Sequence, residues 1–275
     1  MCRWLGYFGS PIRLEELVFN TEHSLVEQSR NARLTTHLTN ADGFGLGWYG
    51  TADGPGRYRS VSPAWSNRNL QELCAHIKSP LFIAHVRATT GTAIQQTNCH
   101  PFRHGRWLFV HNGAIAHSDV LRRDLMLGID PSLFPAIQGS TDSEVIFNLA
   151  LSFGLAADPV AALERAIGYV EATAQRRGVE NPVQASMGLS DGERLWALRY
   201  SSEGKSRTLF SSTDAASVRR LHPENERLQR LRDEDRVVVS EPLADLPGVW
   251  ESIPESTVLI VQPGEDEQRP FRPSR

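Results

Sequence analysis

The chain has 275 residues, of which 40% are hydrophobic and 22% charged, with a formal net charge of −3. Its length suffices for one large domain or two small ones, and its near-neutral charge without a basic stripe argues against a nucleic-acid partner. No apolar run approaches the roughly 18 residues that cross a bilayer. Three cysteines and the lack of a basic-then-apolar leader predict a protein of a reducing compartment, and we expect the cytoplasm.

Strand patterns cluster at the two ends of the chain. Apolar and β-branched runs bounded by turn residues occur first in CRWLGYFG, GFGLGWYG, LFIAHVRAT and WLFVHNGAI, and later in RLWALRYSS, RTLFSST, RVVVSEPL and STVLIVQ. Asp42-Gly43 marks the entry to the second of these strands. Asp191-Gly192 is a favoured type I′ pair, which predicts a hairpin between two of the later strands.

Helical spacing lies between the strands. NRNLQELCAHIKS carries an apolar stripe, and so does TDSEVIFNLALSFG, where Thr141 and Glu144 form a capping-box pattern and Gly154 predicts the stop. A longer helix is predicted in DPVAALERAIGYVEATAQRRG, with Pro159 in its first turn and Gly178 after its end. Such grouping differs from the strict alternation of a doubly wound sheet and favours an α+β fold with helices layered on largely antiparallel sheets. We expect one domain over residues 1–262 and a flexible tail over residues 263–275, because the tail offers little for a core.

Cys2 is the first residue whose position suggests chemistry. If Met1 is removed, Cys2 carries both a thiol and a free α-amine, whose reference pKa of about 7.7–8.0 suits a base at neutral pH. Nucleophile and base then belong to one residue. A buried strand cysteine at this position by chance is the alternative, and taken alone Cys2 favours it.

Three other short segments carry groups that could bind a substrate. Asn112-Gly113 could offer a side-chain and a backbone N–H to an oxyanion, or could be a plain hairpin turn. Arg87 stands in an apolar strand, where its guanidinium needs an anion, either a ligand carboxylate or an internal salt bridge. Asp142 opens a predicted helix, where it could complement the macrodipole or hold a ligand ammonium.

Two other kinds of site have weak support. Cys99, His100, His104 and His111 fall close together, but the adjacent Cys and His without a second ligand pair do not match a zinc pattern. No GxSxG elbow indicates a serine triad. We therefore expect neither a metal nor another cofactor.

Taken together, the ordered segments MCRWLGYFG, NADGFGLGWYG, AHVRATTG, NCHPF, HNG and STDSE resemble the class II glutamine amidotransferase domain of the N-terminal-nucleophile hydrolases. SDGERLWALRY and VVVSEPL resemble its stand-alone branch, which includes the γ-glutamyl amidohydrolases of ergothioneine biosynthesis. The resemblance covers roughly residues 2 to 262. It implies a four-layer αββα sandwich of two largely antiparallel sheets.

The resemblance also implies a role for each matching residue. Cys2 would be the nucleophile, Asn112 and Gly113 the oxyanion hole, Arg87 the partner of the substrate α-carboxylate and Asp142 that of its α-ammonium. Thr89 or Thr90 would line the glutamine pocket, although the tryptophan that often follows the arginine is missing.

Two hypotheses of different kinds follow. In the first, the protein hydrolyses glutamine or a γ-glutamyl small molecule through a thioester. Ammonia then passes to a partner synthase, or a larger amine is the true product. In the second, the protein only binds γ-glutamyl groups or another protein and is catalytically silent.

Overall fold

The computed structural model describes residues 2–34, 39–89 and 91–274. Within these ranges the chain forms thirteen strands: β1 Arg3–Arg13, β2 Phe44–Trp48, β3 Gly56–Ser60, β4 Lys78–Val86, β5 Phe102–His104, β6 Trp107–Ile115, β7 Val183–Ser190, β8 Leu195–Ser201, β9 Phe210–Ser212, β10 Arg236–Val239, β11 Trp250–Ser252, β12 Thr257–Val261 and β13 Glu267–Pro270. It also forms seven α-helices: α1 Glu15–Val18, α2 Leu25–Arg30, α3 Arg68–His76, α4 Ser118–Met126, α5 Asp142–Ser152, α6 Pro159–Arg176 and α7 Ala215–Leu221.

The strands form two antiparallel sheets. The first sheet has the order β11-β9-β10-β1-β4-β2-β3, and the second has the order β13-β12-β8-β7-β6-β5. β1 is therefore central, paired with β10 on one side and β4 on the other. This arrangement confirms the α+β class and the two largely antiparallel sheets.

Alternation along the strands produces three apolar layers. On β1, Leu5 and Tyr7 pack outward against α1, α2 and α3, while Trp4 packs inward between the sheets. On β6, Phe109 packs outward against α5 and Val110 packs inward. Because each strand shows one face to helices and the other to the opposite sheet, the architecture is a four-layer αββα sandwich.

Helix ends follow the predicted signals. Thr141 caps α5 by accepting a hydrogen bond from the backbone N–H of Glu144, at 3.1 Å. Gly154 follows α5 with φ +93°, a conformation that glycine adopts readily. Pro159 is the first residue of α6, and Gly178 lies just past its end with φ +70°. Among the described helices, none is long and apolar enough to cross a membrane.

Two turns considered from the sequence differ from the structure. Asp191-Gly192 is not a two-residue type I′ turn, because Ser190 pairs with Leu195 and only Gly192 of the two has positive φ. The loop therefore has four residues, and the Asp191 carboxylate accepts the backbone N–H groups of residues 193 and 194. Asn112-Gly113 is not a hairpin turn either, since both residues lie inside β6 and pair with β7.

The segment after residue 262 also differs from the flexible tail expected. Glu267–Pro270 pairs with β12 through the backbone. Phe271 is buried against Tyr200, with ring centroids 5.4 Å apart, and the backbone N–H of Ser274 donates to the carbonyl of Glu164 in α6. Composition missed this segment because strand pairing uses the backbone and needs few apolar side chains.

Candidate active site

Five of the seven predicted site residues line one cavity of about 110 Å³: Cys2, Arg87, Thr89, Gly113 and Asp142. Four different elements bring them together. Cys2 directly precedes β1, Arg87 and Thr89 follow β4, Gly113 lies in β6 and Asp142 is the first residue of α5. The cavity therefore lies where the two sheets and the start of α5 meet. Thr90 lies outside the described residues.

Asn112 is adjacent to this cavity but does not line it. It is 3% exposed and lies on the face of β6 that also carries Val110, which packs between the sheets. Cys2 is two residues before Trp4, so alternation directs Cys2 toward the same inner layer. The Asn112 side chain makes no hydrogen bond to any described residue, so its amide is available to a ligand.

The Cys2 thiol is protonated at neutral pH. It donates to the carbonyl of Ala88 across 3.5 Å. Burial raises the pKa of the thiol, and this effect outweighs the Ala88 hydrogen bond and the nearby Arg87 and Arg3 charges, which act in the opposite direction. A nucleophilic thiolate at Cys2 would therefore have to be generated by a base.

Three histidines lie in or next to the cavity, and all are poor candidates for that base: His100 and His111 line it, and the His85 ring centroid is 4.2 Å from that of His100. Burial lowers the pKa of His85 to about 3 and also lowers the pKa values of His100 and His111. The His111 Nε2 donates to the Gln184 carbonyl at 3.2 Å, so its Nδ1 can accept from the Ser143 hydroxyl at 2.9 Å. Imidazoles with such low pKa values are weak bases, which leaves the α-amine that Cys2 would carry.

Arg87 presents a buried positive charge without a carboxylate partner among the described residues. It is 3% exposed, and its guanidinium donates to the carbonyls of Asp42 and Ala93 and to the hydroxyls of Thr89 and Thr92. All of these acceptors are neutral. The internal salt bridge considered from the sequence is therefore not seen, and the charge is available to an anion in the cavity.

Asp142 is held in one orientation by backbone donors. One carboxylate oxygen accepts from the N–H of Ile115 at 2.7 Å, and the other accepts from the N–H of Ser143 at 2.8 Å. The carboxylate thus complements the start of α5, as the macrodipole interpretation predicts. Oδ1 also lies 3.3 Å from the Ser143 hydroxyl, whereas Oδ2 keeps a second lone pair, so the same group can also bind an ammonium.

Sequence reasoning missed the group that fixes Cys2. Arg3 donates from Nη1 to the Cys2 carbonyl at 2.8 Å and from Nε to Glu241 at 2.7 Å. Glu241 follows β10 and is fully buried. Its carboxylate also accepts from His23 and from the backbone N–H groups of Arg33 and Leu34. A charged residue beside Cys2 was the one available signal.

Glu241 remains ionised far into acid. Burial alone would raise its pKa, but the His23 hydrogen bond, the Arg3 charge and the two backbone N–H groups outweigh burial and lower the pKa to about 2. The Arg3–Glu241 ion pair is therefore permanent at neutral pH, and it anchors the residue after Cys2.

In the described parts of the chain, no group of three or more His, Cys, Asp or Glu side chains could hold a metal ion. The cavity instead offers one thiol, one unpaired guanidinium and one oriented carboxylate. This set complements a small zwitterion that carries an electrophilic carbon at its other end.

The sequence matches the family of class II glutamine amidotransferases over residues 14–269. The chain belongs to this family, a class of enzymes whose fold agrees with the four-layer sandwich described above. A solved structure of a glutamine aminotransferase class-II domain protein from Silicibacter pomeroyi is 31% identical, with a TM-score of 0.76 and full coverage of both chains.

Two curated relatives are similar over almost the whole chain. The probable glutamine amidotransferase DUG3 of Saccharomyces cerevisiae is 35% identical over 95% of this chain and 82% of its own length. The γ-glutamyl-hercynylcysteine sulfoxide hydrolase of Mycolicibacterium smegmatis is 29% identical over 95% of this chain and 96% of its own length. These matches support the stand-alone branch of the family.

Proposed function

We propose that this protein hydrolyses the side-chain amide of glutamine or of a γ-glutamyl amide, with Cys2 as the nucleophile. The convergence of Cys2, Arg87 and Asp142 on one cavity carries this proposal. Arg87 binds the substrate α-carboxylate and Asp142 binds its α-ammonium. Thr89 lines the same pocket and also donates its hydroxyl to the Thr92 carbonyl at 2.8 Å.

The reaction proceeds through a thioester. Removal of Met1 exposes the Cys2 α-amine, which accepts the thiol proton as sulfur attacks the amide carbon. The side-chain amide of Asn112 and the backbone N–H of Gly113 stabilise the tetrahedral oxyanion. Collapse of the tetrahedral intermediate breaks the C–N bond, and the protonated α-amine of Cys2 returns the proton to the departing nitrogen. Water then attacks the thioester, which releases glutamate and restores the thiol.

The space next to the cavity can accommodate a substrate larger than glutamine. A second cavity of about 460 Å³ adjoins the first, and Thr92, Ser118 and Asp142 line both. The Mycolicibacterium relative is named for hydrolysis of a γ-glutamyl compound, which supports the same substrate class here. A free-thiol mechanism also suits a reducing compartment such as the cytoplasm.

Release of glutamate tests the proposal directly. Intact mass first establishes that Met1 is removed, and glutamate is then measured with glutamine and with γ-glutamyl-p-nitroanilide. Cys2→Ala should abolish release from both. The control is Cys74→Ala, because Cys74 is a buried cysteine of α3 that does not line the cavity.

Matched unfolding curves verify that both variants are folded. Full activity in Cys2→Ala contradicts the mechanism. Saturable binding of glutamate without any release, in protein that lacks Met1, identifies the silent binding protein instead. A partner synthase that accepts ammonia would show itself as a rate increase when it is added to the glutamine assay.

A further inference from the structure

A separate polar cavity, of about 150 Å³, shares no lining residue with the candidate active site. We name it the arginine cavity. It is lined by β3 of the first sheet, by β5 of the second sheet, by the segment before α5 and by α5 itself. The lining residues are Arg57, Arg59, Phe102, Arg103, His104, Ala136, Gln138, Glu144, Phe147 and Asn148.

Positive charge in this cavity is only partly compensated. Arg57, Arg59 and Arg103 make no ion pair with any described residue. Each donates instead to backbone carbonyls: Arg57 to Pro101 at 3.5 Å, Arg59 to Thr97 and Cys99 at 3.3 and 3.1 Å, and Arg103 to Pro55 at 3.0 Å. A guanidinium has five N–H donors, so most of them remain available.

Glu144 is the one acidic side chain in the lining. Its two oxygens accept the backbone N–H groups of Gln138 and Gly139, at 2.9 and 2.7 Å. Three cations and one anion leave a net charge of about +2 if His104 is neutral. Arg59 is only 8% exposed, and a buried cation without an anion is unfavourable.

The arginines destabilise one another as well. Burial, followed by the charges of Arg59 and Arg103, lowers the pKa of Arg57 to about 10. Burial also lowers the pKa of Arg59. An anion between these groups would reduce the repulsion and could accept hydrogen bonds from more than one guanidinium.

We propose that the arginine cavity binds a dianionic oxyanion of the phosphate class, either inorganic phosphate or the phosphoryl group of a larger metabolite. A dianion would neutralise the net charge of about +2 in the cavity, whereas a single carboxylate would neutralise only half of that charge. Tetrahedral oxygens can also accept from several guanidinium forks at once, which one planar carboxylate does less completely. This proposal does not depend on the activity proposed for Cys2.

Isothermal titration calorimetry with inorganic phosphate, at constant ionic strength in a phosphate-free buffer, tests it. Wild-type protein should bind one phosphate per chain. Arg57→Gln and Arg103→Gln should each weaken binding at least tenfold. Arg106→Gln is the control, because Arg106 is a half-exposed arginine paired with Glu193 outside the cavity, and it should bind within twofold of wild type.

The anion series separates the possible results. Acetate should bind at least tenfold more weakly than phosphate. Phenyl phosphate that binds as tightly as phosphate identifies a phosphoryl group as the ligand, and phosphate binding alone identifies the free ion. No heat at millimolar phosphate overturns the proposal. Equal losses in Arg57→Gln and Arg106→Gln, with unfolding curves that match wild type, also overturn it.

Discussion

Replacement of Glu241 by Gln should strongly destabilise the fold while it preserves the size of the side chain. The carboxylate accepts five hydrogen bonds: two from Arg3, one from His23 and one each from the N–H groups of Arg33 and Leu34. In Glu241→Gln, the side-chain NH₂ group cannot accept the hydrogen bonds that the replaced carboxylate oxygen accepted. The Arg3 charge is then left buried without an anion. Breaking one partner of a buried pair costs about 3–5 kcal/mol, which is the loss expected at pH 7.

The same change should alter the acid dependence of stability. The pKa of Glu241 falls from an ordinary 4.5 to about 2 on folding. The unfolded chain therefore takes up the proton first as pH falls, and stability is lost between about pH 4.5 and pH 2. At 1.36 kcal/mol per pKa unit, this contribution is roughly 3 kcal/mol. The difference in the free energy of unfolding between wild type and Glu241→Gln should therefore shrink by about that amount as the pH falls from about 4.5 to about 2.

Urea unfolding at pH 7 and at steps down to pH 2.5 measures both effects. Glu193→Gln is the control, because Glu193 belongs to an exposed ion pair with Arg106 and should cost less than about 0.5 kcal/mol. A loss below about 1 kcal/mol in Glu241→Gln, or a gap that stays constant with pH, would refute the reasoning.

Three further outcomes concern the reaction. Arg87→Lys should raise KM for glutamine roughly tenfold or more, with a smaller effect on kcat, because the point charge of lysine replaces the bidentate guanidinium. An unchanged KM would show that Arg87 does not bind the substrate. Gly113→Ala should lower kcat and stability, because the added Cβ would collide with the Gln184 carbonyl. Gly50→Ala is the control, since a Cβ at Gly50 meets nothing within 4 Å. Equal effects of the two substitutions would contradict this prediction. Because burial lowers the pKa values of the histidines in and next to the cavity, kcat/KM should rise with an apparent pKa near the α-amine value of about 7.7–8.0. A rise centred near the ordinary histidine value of about 6.5 would implicate a histidine instead.

The sequence predicted the parts of the site that depend on local chemistry. Cys2, Arg87 and Asp142 were candidates because each carries a reactive or charged group, and the family resemblance implied the role of each. The start of α5 was predictable for a similar reason, since the hydroxyl of Thr141 satisfies a backbone N–H within three residues.

The remaining features depend on pairing between distant segments. Asn112-Gly113 has the composition of a turn, but a long antiparallel pairing with β7 keeps both residues extended. The link between Arg3 and Glu241 spans 238 positions, so no local pattern connects them. The arginine cavity joins side chains from β3, β5 and α5, and each arginine by itself is an ordinary strand residue.

The distance along the chain between Arg3 and Glu241 has a consequence for biosynthesis. β1 is made before its neighbour β10, and the buried anion Glu241 follows Arg3 by 238 residues. At about 5–20 residues per second, this delay is roughly 10 to 50 s. During that time the amino terminus cannot be locked into the central position of its sheet. The mechanism proposed for Cys2 requires removal of Met1, and during this interval the chain end is accessible to the enzyme that would remove it.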